Sequence, residues 1–311
     1  MSHLCDELVA ELKMRARLPI RLVKLSISIL FFAASSLRDA LMALIGRRRP
    51  SSGVVIYYHA VPTEHRSRFA HQMDLVLRWA KPVAAAQREP CRRGERCVAI
   101  TFDDGFESVL ENAIPELERR RIPATVFVVI QSLGKRPVWM ASDPQSTDPN
   151  KVMSLEQLRN LASDLVTIGA HSLTHPRLTE LNETEARKEI FDSRTQLQNI
   201  LQREITLFSF PYGAFTEALV QHCLEAGYDR VFTTLPHPAF AKKDQFVSGR
   251  TAVEPTDWSL EFRLKISGAY RWLPVAFALK RRLKFGLRSP QHPRRQVNAQ
   301  NNRESCAARL R

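Results

Sequence analysis

The sequence contains no glycine-rich phosphate loop, no dinucleotide-binding fingerprint and no internal repeat, which argues against nucleotide-dependent chemistry and a repeat architecture. It has only five cysteines, and none of them forms a Cys-x-x-Cys pair. The cysteines therefore indicate neither a metal site nor nucleophilic catalysis. A disulfide between Cys91 and Cys97 across a short loop is an alternative, but we expect unpaired thiols.

Acidic residues are scarce near the C-terminus. From Arg263 onward, 13 lysines and arginines accompany a single acid, Glu304, so this stretch carries +12 of the net charge of +14. The rest of the chain is nearly neutral. With 311 residues, 44% of them hydrophobic and 25% charged, the chain is expected to form a globular α/β domain of roughly 200 residues or more.

No uncharged apolar run near the N-terminus reaches the roughly 20 residues that a membrane-spanning helix needs. Residues 25–37 are uncharged and mostly apolar, and basic residues precede them. A secretory signal is one alternative, with a weak cleavage site at 33–36. We expect residues 1–50 to form a membrane-surface helix or short anchor; the other interpretation is a helix packed on the main domain.

A β-branched apolar run at 98–102 ends abruptly in Asp103, Asp104 and Gly105. Its length and composition predict a buried strand, with the two carboxylates where the strand leaves the sheet. An acidic turn that merely ends the strand is the simpler interpretation of these three residues alone. The carboxyl end of a strand is, however, where α/β folds place their chemistry.

Two histidines, His171 and His175, follow another strand-like run at 165–168. Their spacing predicts a single helical turn that brings both imidazoles to one point. A carboxylate with two imidazoles is a typical site for a first-row metal with open coordination positions. The two stretches together therefore predict a metal site.

A third strand-like run leads into Pro211, Tyr212 and Gly213. In this order, the three stretches resemble the motifs of the polysaccharide deacetylase family, also called the NodB-homology or carbohydrate esterase 4 family. The first two motifs, Thr-Phe-Asp-Asp-Gly and His-Ser/Thr-x-x-His, match fully. The third, Arg-x-Pro-Tyr-Gly, matches only in Pro-Tyr-Gly, since Ser209 or Phe210 stands in place of the arginine.

The resemblance, with the alternation of strands and helices, predicts the fold class: α/β, a distorted (β/α) barrel of the NodB-homology type, with about seven parallel strands and outer helices. We assign residues 51–272 to this catalytic domain, 1–50 to a membrane-associating segment and 273–311 to a basic, disordered tail. A Tyr-His strand end at His59 and a Phe-x-x-Gln-Met helix at 69–73 resemble the exopolysaccharide-associated branch.

The family motifs imply roles for individual residues. Asp104, His171 and His175 are expected to hold a divalent metal ion, zinc in the first instance, with cobalt or nickel as alternatives. Asp103 is the expected general base, and the backbone N–H of Tyr212 is expected to complete the oxyanion site.

Two residues of the family pattern are missing, so other residues would have to take over their roles. Arg250 is our candidate for holding Asp103 ionised in place of the missing arginine; the alternative is a surface arginine paired with Glu254. The family's late Leu-x-His, which supplies the general acid, is not in its expected place, because Leu235-Pro236-His237 has this spelling but precedes Arg250. We therefore expect His59 to be the acid.

These expectations predict removal of N-acetyl groups from an amino-sugar polysaccharide or its lipid-linked precursor. An O-acetyl glycan esterase and a non-catalytic carbohydrate-binding protein are the alternatives. From Lys280 on, the basic tail has no interleaved aromatic residue except Phe285, so an anionic membrane surface is a better partner for the termini than nucleic acid. Membrane association on the cytoplasmic or periplasmic face is expected, without a choice between the two.

Overall fold

The computed structural model describes residues 2–46, 52–140, 151–161 and 164–286. The chain divides into two compact units, Met1–Pro274 and Val275–Arg311. All of the strands and the candidate site belong to the first unit.

In the part of the chain that the structure describes, eight parallel strands form the sheet, and most are short and buried. Their bounds are β1 Ser52–Tyr58, β2 Lys81–Pro82, β3 Arg96–Phe102, β4 Ala124–Val128, β5 Val166–Ala170, β6 Leu207–Ser209, β7 Arg230–Thr233 and β8 Val247–Ala252.

The sheet closes on itself because β1 pairs with both β3 and β8. The remaining neighbours run β8, β7, β6, β5, β4 and β3, which makes a ring of seven strands, and β2 pairs only with the beginning of β3. The predicted fold class, a seven-stranded parallel barrel with outer helices, is confirmed. Closure places the carboxyl ends of all seven strands around one rim.

The described residues form eight α-helices. Their bounds are α1 Ser2–Leu44, α2 Arg66–Trp79, α3 Ile114–Arg119, α4 Leu155–Leu161, α5 Glu183–Leu201, α6 Glu217–Glu225, α7 Ser259–Ile266 and α8 Leu273–Gly286. Capping boxes formed by Ser154 with Gln157 and by Asn182 with Glu185 begin α4 and α5.

The side chains of each strand alternate between two apolar clusters, as the strand period of two requires. One cluster lies within the barrel and takes residues from opposite strands, such as Val55, Phe127 and Phe232, with Phe240 from the segment after β7. The larger cluster joins the outer faces of the strands to the helices. The barrel therefore has a packed interior below the rim that carries the polar residues.

Two sequence-based expectations need correction. The structure joins Cys91 and Cys97 in a disulfide, so the expectation of unpaired thiols is wrong for this pair. The tail predicted to be disordered begins with the helix α8, while residues 287–311 lie outside the described residues.

The N-terminal segment forms a long helix, α1, that continues through Pro19. Within the described residues, the part Leu18–Leu44 is long and apolar enough to cross a membrane, although a core helix or a signal sequence would pass the same test. Helix α1 packs on α7 of the barrel. The predicted boundaries at 50 and 272 stay predictions.

Candidate functional site

The predicted site residues lie together on the carboxyl rim of the barrel. Asp103 and Asp104 follow β3, His171 follows β5, and Tyr212 follows β6. All of them line one cavity of about 570 Å³. Parallel pairing of the strands is what assembles them, because it brings residues more than 100 positions apart in the sequence to one edge of the sheet.

Asp104, His171 and His175 form a buried group whose ligand atoms all lie within 4.8 Å of one another. The Asp104 Oδ1 atom is 3.6 Å from His171 Nε2 and 3.4 Å from His175 Nε2, and it has no hydrogen-bond partner. Two atoms bound to one zinc ion at about 2.0–2.1 Å in tetrahedral geometry lie about 3.4 Å apart. The spacing therefore suits three ligands of one ion better than direct hydrogen bonds.

Left-handed backbone conformations set the directions of several side chains in and around this group. Asp104, Ser172, His175 and Tyr212 have φ values of 69°, 63°, 66° and 57°, which residues other than glycine rarely adopt. The predicted helical turn between the two histidines is therefore wrong, since an irregular loop brings them together. The Ser172 hydroxyl accepts a hydrogen bond from the His175 N–H at 2.9 Å and holds this loop. Such conformations persist only where the surroundings enforce them, as they do at many functional sites.

Hydrogen bonds from neighbouring elements fix the loop and the first imidazole. His171 Nδ1 donates to the Ser209 carbonyl at 2.8 Å, which leaves its Nε2 lone pair directed at Asp104. Glu189 of α5 accepts from the N–H groups of Leu173 and Thr174 at 2.8 and 2.9 Å and from the Thr174 hydroxyl at 2.6 Å. The ligand loop is therefore tied to both a strand and a helix.

Aromatic rings enclose the second imidazole. The Trp139 ring stacks on His175 with 4.1 Å between centroids, and the Tyr212 ring lies 4.8 Å away. Trp139 also forms a side-chain hydrogen bond with Asp104. The Arg177 guanidinium covers the Tyr212 ring at 4.7 Å. These contacts restrict the rotation of His175 and shield the group from bulk water.

Without a cation, burial favours the uncharged forms of all three residues in this group. Burial and the neighbouring Asp103 charge raise the pKa of Asp104 to about 8. Burial lowers the pKa of His171 to about 4, and burial together with His171 lowers that of His175 to about 2. Both histidines are thus neutral and able to ligate at neutral pH, and a divalent cation would stabilise the Asp104 carboxylate. The donor set of two imidazoles and one carboxylate fits such an ion.

Arg250 makes a two-pronged ion pair with Asp103 inside the barrel. Its Nη1 and Nη2 atoms donate to the two Asp103 oxygens at 2.6 and 2.7 Å. Nη2 also donates to Ser209 Oγ at 2.7 Å, and Nη1 to Thr101 Oγ1 at 3.2 Å. Arg250 is fully buried, so the alternative of a surface arginine paired with Glu254 is wrong.

The ion pair determines the charge state of Asp103. Burial alone would raise the pKa of this carboxyl, but the Arg250 charge and hydrogen bonds, with His171, lower it to about 2. Asp103 is therefore an anion at neutral pH, whereas its neighbour Asp104 has its pKa raised. The two adjacent carboxyls have different environments, and such a division of pKa values is typical of acid–base sites.

His59 lies at the exposed end of β1 and lines the same cavity. A second histidine, His65, lines it too. Between them, Tyr58 donates to Gln72 Oε1 at 2.7 Å, and Gln72 Nε2 donates to the Glu254 carbonyl at 2.9 Å. The Tyr-His and Phe-x-x-Gln-Met stretches are thus joined in space, and they hold the end of β1 against the segment after β8.

A family model described as polysaccharide deacetylase matches residues 92–231, which contain both carboxylates, both histidines and Tyr212. These 140 of the 311 residues match the polysaccharide deacetylase family. The enzyme class predicted from the sequence is thereby confirmed.

Individual relatives of this family are distant. YxkH of Bacillus subtilis (strain 168), named as a polysaccharide deacetylase, is 23% identical over 70% of the chain and 77% of its own length. The poly-beta-1,6-N-acetyl-D-glucosamine N-deacetylase of Staphylococcus aureus (strain N315) is 25% identical over 43% of the chain and 46% of its own length. The structure of IcaB from Ammonifex degensii superposes with a TM-score of 0.56 at 21% identity, covering 72% of the chain and 98% of IcaB, which shows a common fold.

Several residues of the deacetylase site escape sequence analysis. Glu189 and Trp139 belong to no motif, and His65 stands in a short polar stretch. Ser209 was noted only as a replacement for the missing arginine, although its hydroxyl and its carbonyl contact Arg250 and His171. His237 does not line the cavity, which is consistent with its exclusion as the general acid.

Metal binding by this family member can be measured directly. We expect one zinc ion per chain in isothermal titration, and we expect His171→Ala to weaken it by more than the about 10- to 100-fold typical of outer-shell changes. His65→Ala removes a histidine from the same cavity but outside the trio, and should bind zinc as the unchanged protein does. Equal weakening by both variants would contradict the assignment.

Proposed function

We propose that the protein is a metal-dependent hydrolase that removes N-acetyl groups from an amino-sugar polysaccharide or its lipid-linked precursor. The observation that carries the proposal is an anionic carboxylate, Asp103, beside the buried group Asp104, His171 and His175 in one cavity. The name of the staphylococcal relative, a poly-N-acetylglucosamine deacetylase, supports the substrate class.

Asp104, His171 and His175 would hold the ion, which in such sites lowers the pKa of a water and polarises the carbonyl under attack. Asp103 is next to this group but does not need to bind the ion, because both of its oxygens already accept hydrogen bonds from Arg250. It is therefore the base that accepts the proton of the attacking water. The guanidinium keeps this carboxylate ionised and oriented before the substrate arrives.

Two further groups that line the cavity would stabilise the oxyanion and protonate the leaving amine. The Tyr212 N–H faces the developing oxyanion, and its left-handed backbone, with Gly213 packed on Thr234, fixes the direction of that group. A Cβ on Gly213 would lie 1.9 Å from Thr234 Oγ1, so the turn tolerates no larger residue. His59 delivers a proton to the departing amine, which cannot leave as an anion.

Acetate release from N-acetylglucosamine oligomers by the zinc-loaded protein tests the proposal. We expect Asp103→Asn to lower turnover by about 100- to 10,000-fold, because it removes the proton acceptor. The variant should still bind zinc in titration. Asp74→Asn, the same change at an exposed carboxylate of α2, should be as active as the unchanged protein. Full activity of Asp103→Asn would contradict the role of this residue, and absence of release from the zinc-loaded protein would favour an O-acetyl substrate or a binding role.

Arg250→Lys retains the positive charge but loses the two-pronged contact with Asp103. We expect turnover to fall by about 10-fold or more, because a lysine cannot hold both oxygens in one plane. Arg250→Ala should cost about 3–5 kcal/mol of unfolding free energy, since it leaves a buried carboxylate unpaired. The double variant with Asp103→Asn should recover part of that loss in thermal unfolding. A stably folded Arg250→Ala protein with unchanged turnover would exclude the role.

His59→Ala should distinguish substrates by their leaving groups. For the N-acetyl sugar we expect turnover to fall by about 100-fold or more, because the amine must be protonated to depart. For p-nitrophenyl acetate, whose leaving group departs as an anion, we expect little change. His65→Ala is the matched control and should leave both rates nearly unchanged. Equal losses on both substrates would contradict a role in protonating the leaving group.

A further inference from the structure

Helix α1 presents two different faces. One face lies on the barrel: Ser28 is buried, and Arg21, Leu25 and Phe32 are partly buried beside α7 and the segment after it. The opposite face is exposed and carries large apolar side chains three or four residues apart, with one gap. We call this set the outer stripe: Ile20, Val23, Ile27, Leu30, Leu37 and Leu41.

The outer stripe is long and almost free of charge. Leu30 and Leu37 are 70% and 63% exposed. Together with the exposed residues that flank it, such as Leu22 and Ile29, the stripe covers roughly 200° of the helix circumference at about 100° per residue. Among the described side chains of α1, the charged residue on this side is Arg38. An exposed apolar surface of this extent marks an interaction site.

Specific polar contacts hold the inner face to the barrel. Arg21 donates to Glu261 at 2.7 Å and to the Thr256 carbonyl at 3.1 Å, and its guanidinium lies 4.3 Å from the Trp258 ring. Further along the helix, the Trp272 indole donates to Ser28 Oγ at 2.9 Å. This half of α1 is therefore a part of the folded domain.

These contacts exclude a membrane-spanning arrangement of α1. The helix beyond Phe32, residues 33–44, measures about 18 Å, whereas the hydrocarbon core of a bilayer is about 30 Å thick. The chain between Gly46 and Ser52 reaches at most about 20 Å, and Ser52 begins β1 of the barrel. The C-terminal end of the helix therefore stays on the side of the membrane where the barrel lies, and residues 2–17, six of them charged, are too polar to cross the hydrocarbon core.

The composition around the stripe favours a lipid surface over a second copy of the chain. A helix–helix seam buries a narrower stripe, with polar residues on both sides of it. Here the apolar face continues past Ile29 toward Trp79 and Leu260, which border the same groove. The Arg263 guanidinium stacks on Trp79 at 4.0 Å. An exposed tryptophan with basic neighbours is typical of residues at the lipid headgroup level.

We propose that α1 is an in-plane membrane anchor. Its outer stripe inserts at the headgroup boundary of a bilayer that contains anionic lipids, and its inner face carries the barrel. The proposed anchor does not depend on the proposed reaction. What the anchor would do for substrate access, however, rests on that proposed function. Arg21 lies beside Thr256, which lines the candidate active site, and Phe32 lies near Arg96 at the start of β3. The helix thus runs along the barrel side, and the cavity opens sideways, near the membrane surface.

Co-sedimentation of the full chain with vesicles tests the anchor. We expect binding to vesicles of phosphatidylglycerol and phosphatidylcholine, and weaker binding to phosphatidylcholine alone. The double variant Leu30→Glu with Leu37→Glu should reduce binding by about tenfold or more for each leucine removed. Leu224→Glu on α6 is the matched control, because this leucine is 53% exposed on a different helix. It should bind vesicles like the unchanged protein.

Three results would overturn the anchor: absence of vesicle binding by the unchanged protein, undiminished binding by the double variant, and resistance of the bound protein to extraction at alkaline pH, which indicates a spanning helix. A dimer that the double variant disrupts, without vesicle binding, would assign the stripe to a second copy instead. Acetate release from soluble oligomers, measured on the same samples, reports the proposed reaction separately. Its failure with vesicle binding intact would affect only that proposal.

Discussion

The ion pair between Arg250 and Asp103 is the interaction on which the site depends. Both charges are buried, and the cost of removing them from water is large unless every polar atom finds a partner. The guanidinium meets this condition with Asp103, Ser209 and Thr101, and its Nε atom lies 3.4 Å from the Thr233 carbonyl. Because these partners belong to β3, β6 and β7 or follow them directly, the pair connects strands around the ring as well as keeping Asp103 ionised. A barrel that closed differently would leave the arginine without its partners, so the closure and the chemistry depend on each other.

The source of the arginine shows that position in space matters more than position in a motif. The family pattern places an arginine shortly before Pro211, and in this chain Ser209 and Phe210 occupy that stretch. The Ser209 side chain is small, so it leaves room for a guanidinium that arrives from β8, and its hydroxyl accepts a hydrogen bond from it. The substitution on β6 and the arginine on β8 therefore compensate each other. Arg250 can be predicted as a candidate from the sequence, because a buried carboxylate requires a positive partner from some neighbouring strand.

Sequence patterns predicted the elements of the fold well and the backbone of the site poorly. The strand ends at Asp103 and His171 follow from apolar runs and the residues that stop them, and the parallel barrel follows from their alternation with helices. The shape of the loop between the histidines does not follow from spacing alone. Its left-handed residues at Ser172 and His175 depend on Glu189, which is contributed by a later helix, and no local signal announces that contact. Residue type thus indicated the chemistry, while tertiary contacts determined the geometry.

Composition alone could not decide between an anchor and a packed helix for the N-terminal segment, because α1 has the features of both. Arg21 and Ser28 are poorly suited to a bilayer interior, and the structure places both against the barrel, whereas the leucines on the other side are exposed. The inner contacts end at Thr256, which also borders the candidate active site. This proximity suits an enzyme whose polymer is made or held at a membrane, since the anchor would fix the height of the cavity above the lipid while the substrate chain passes it.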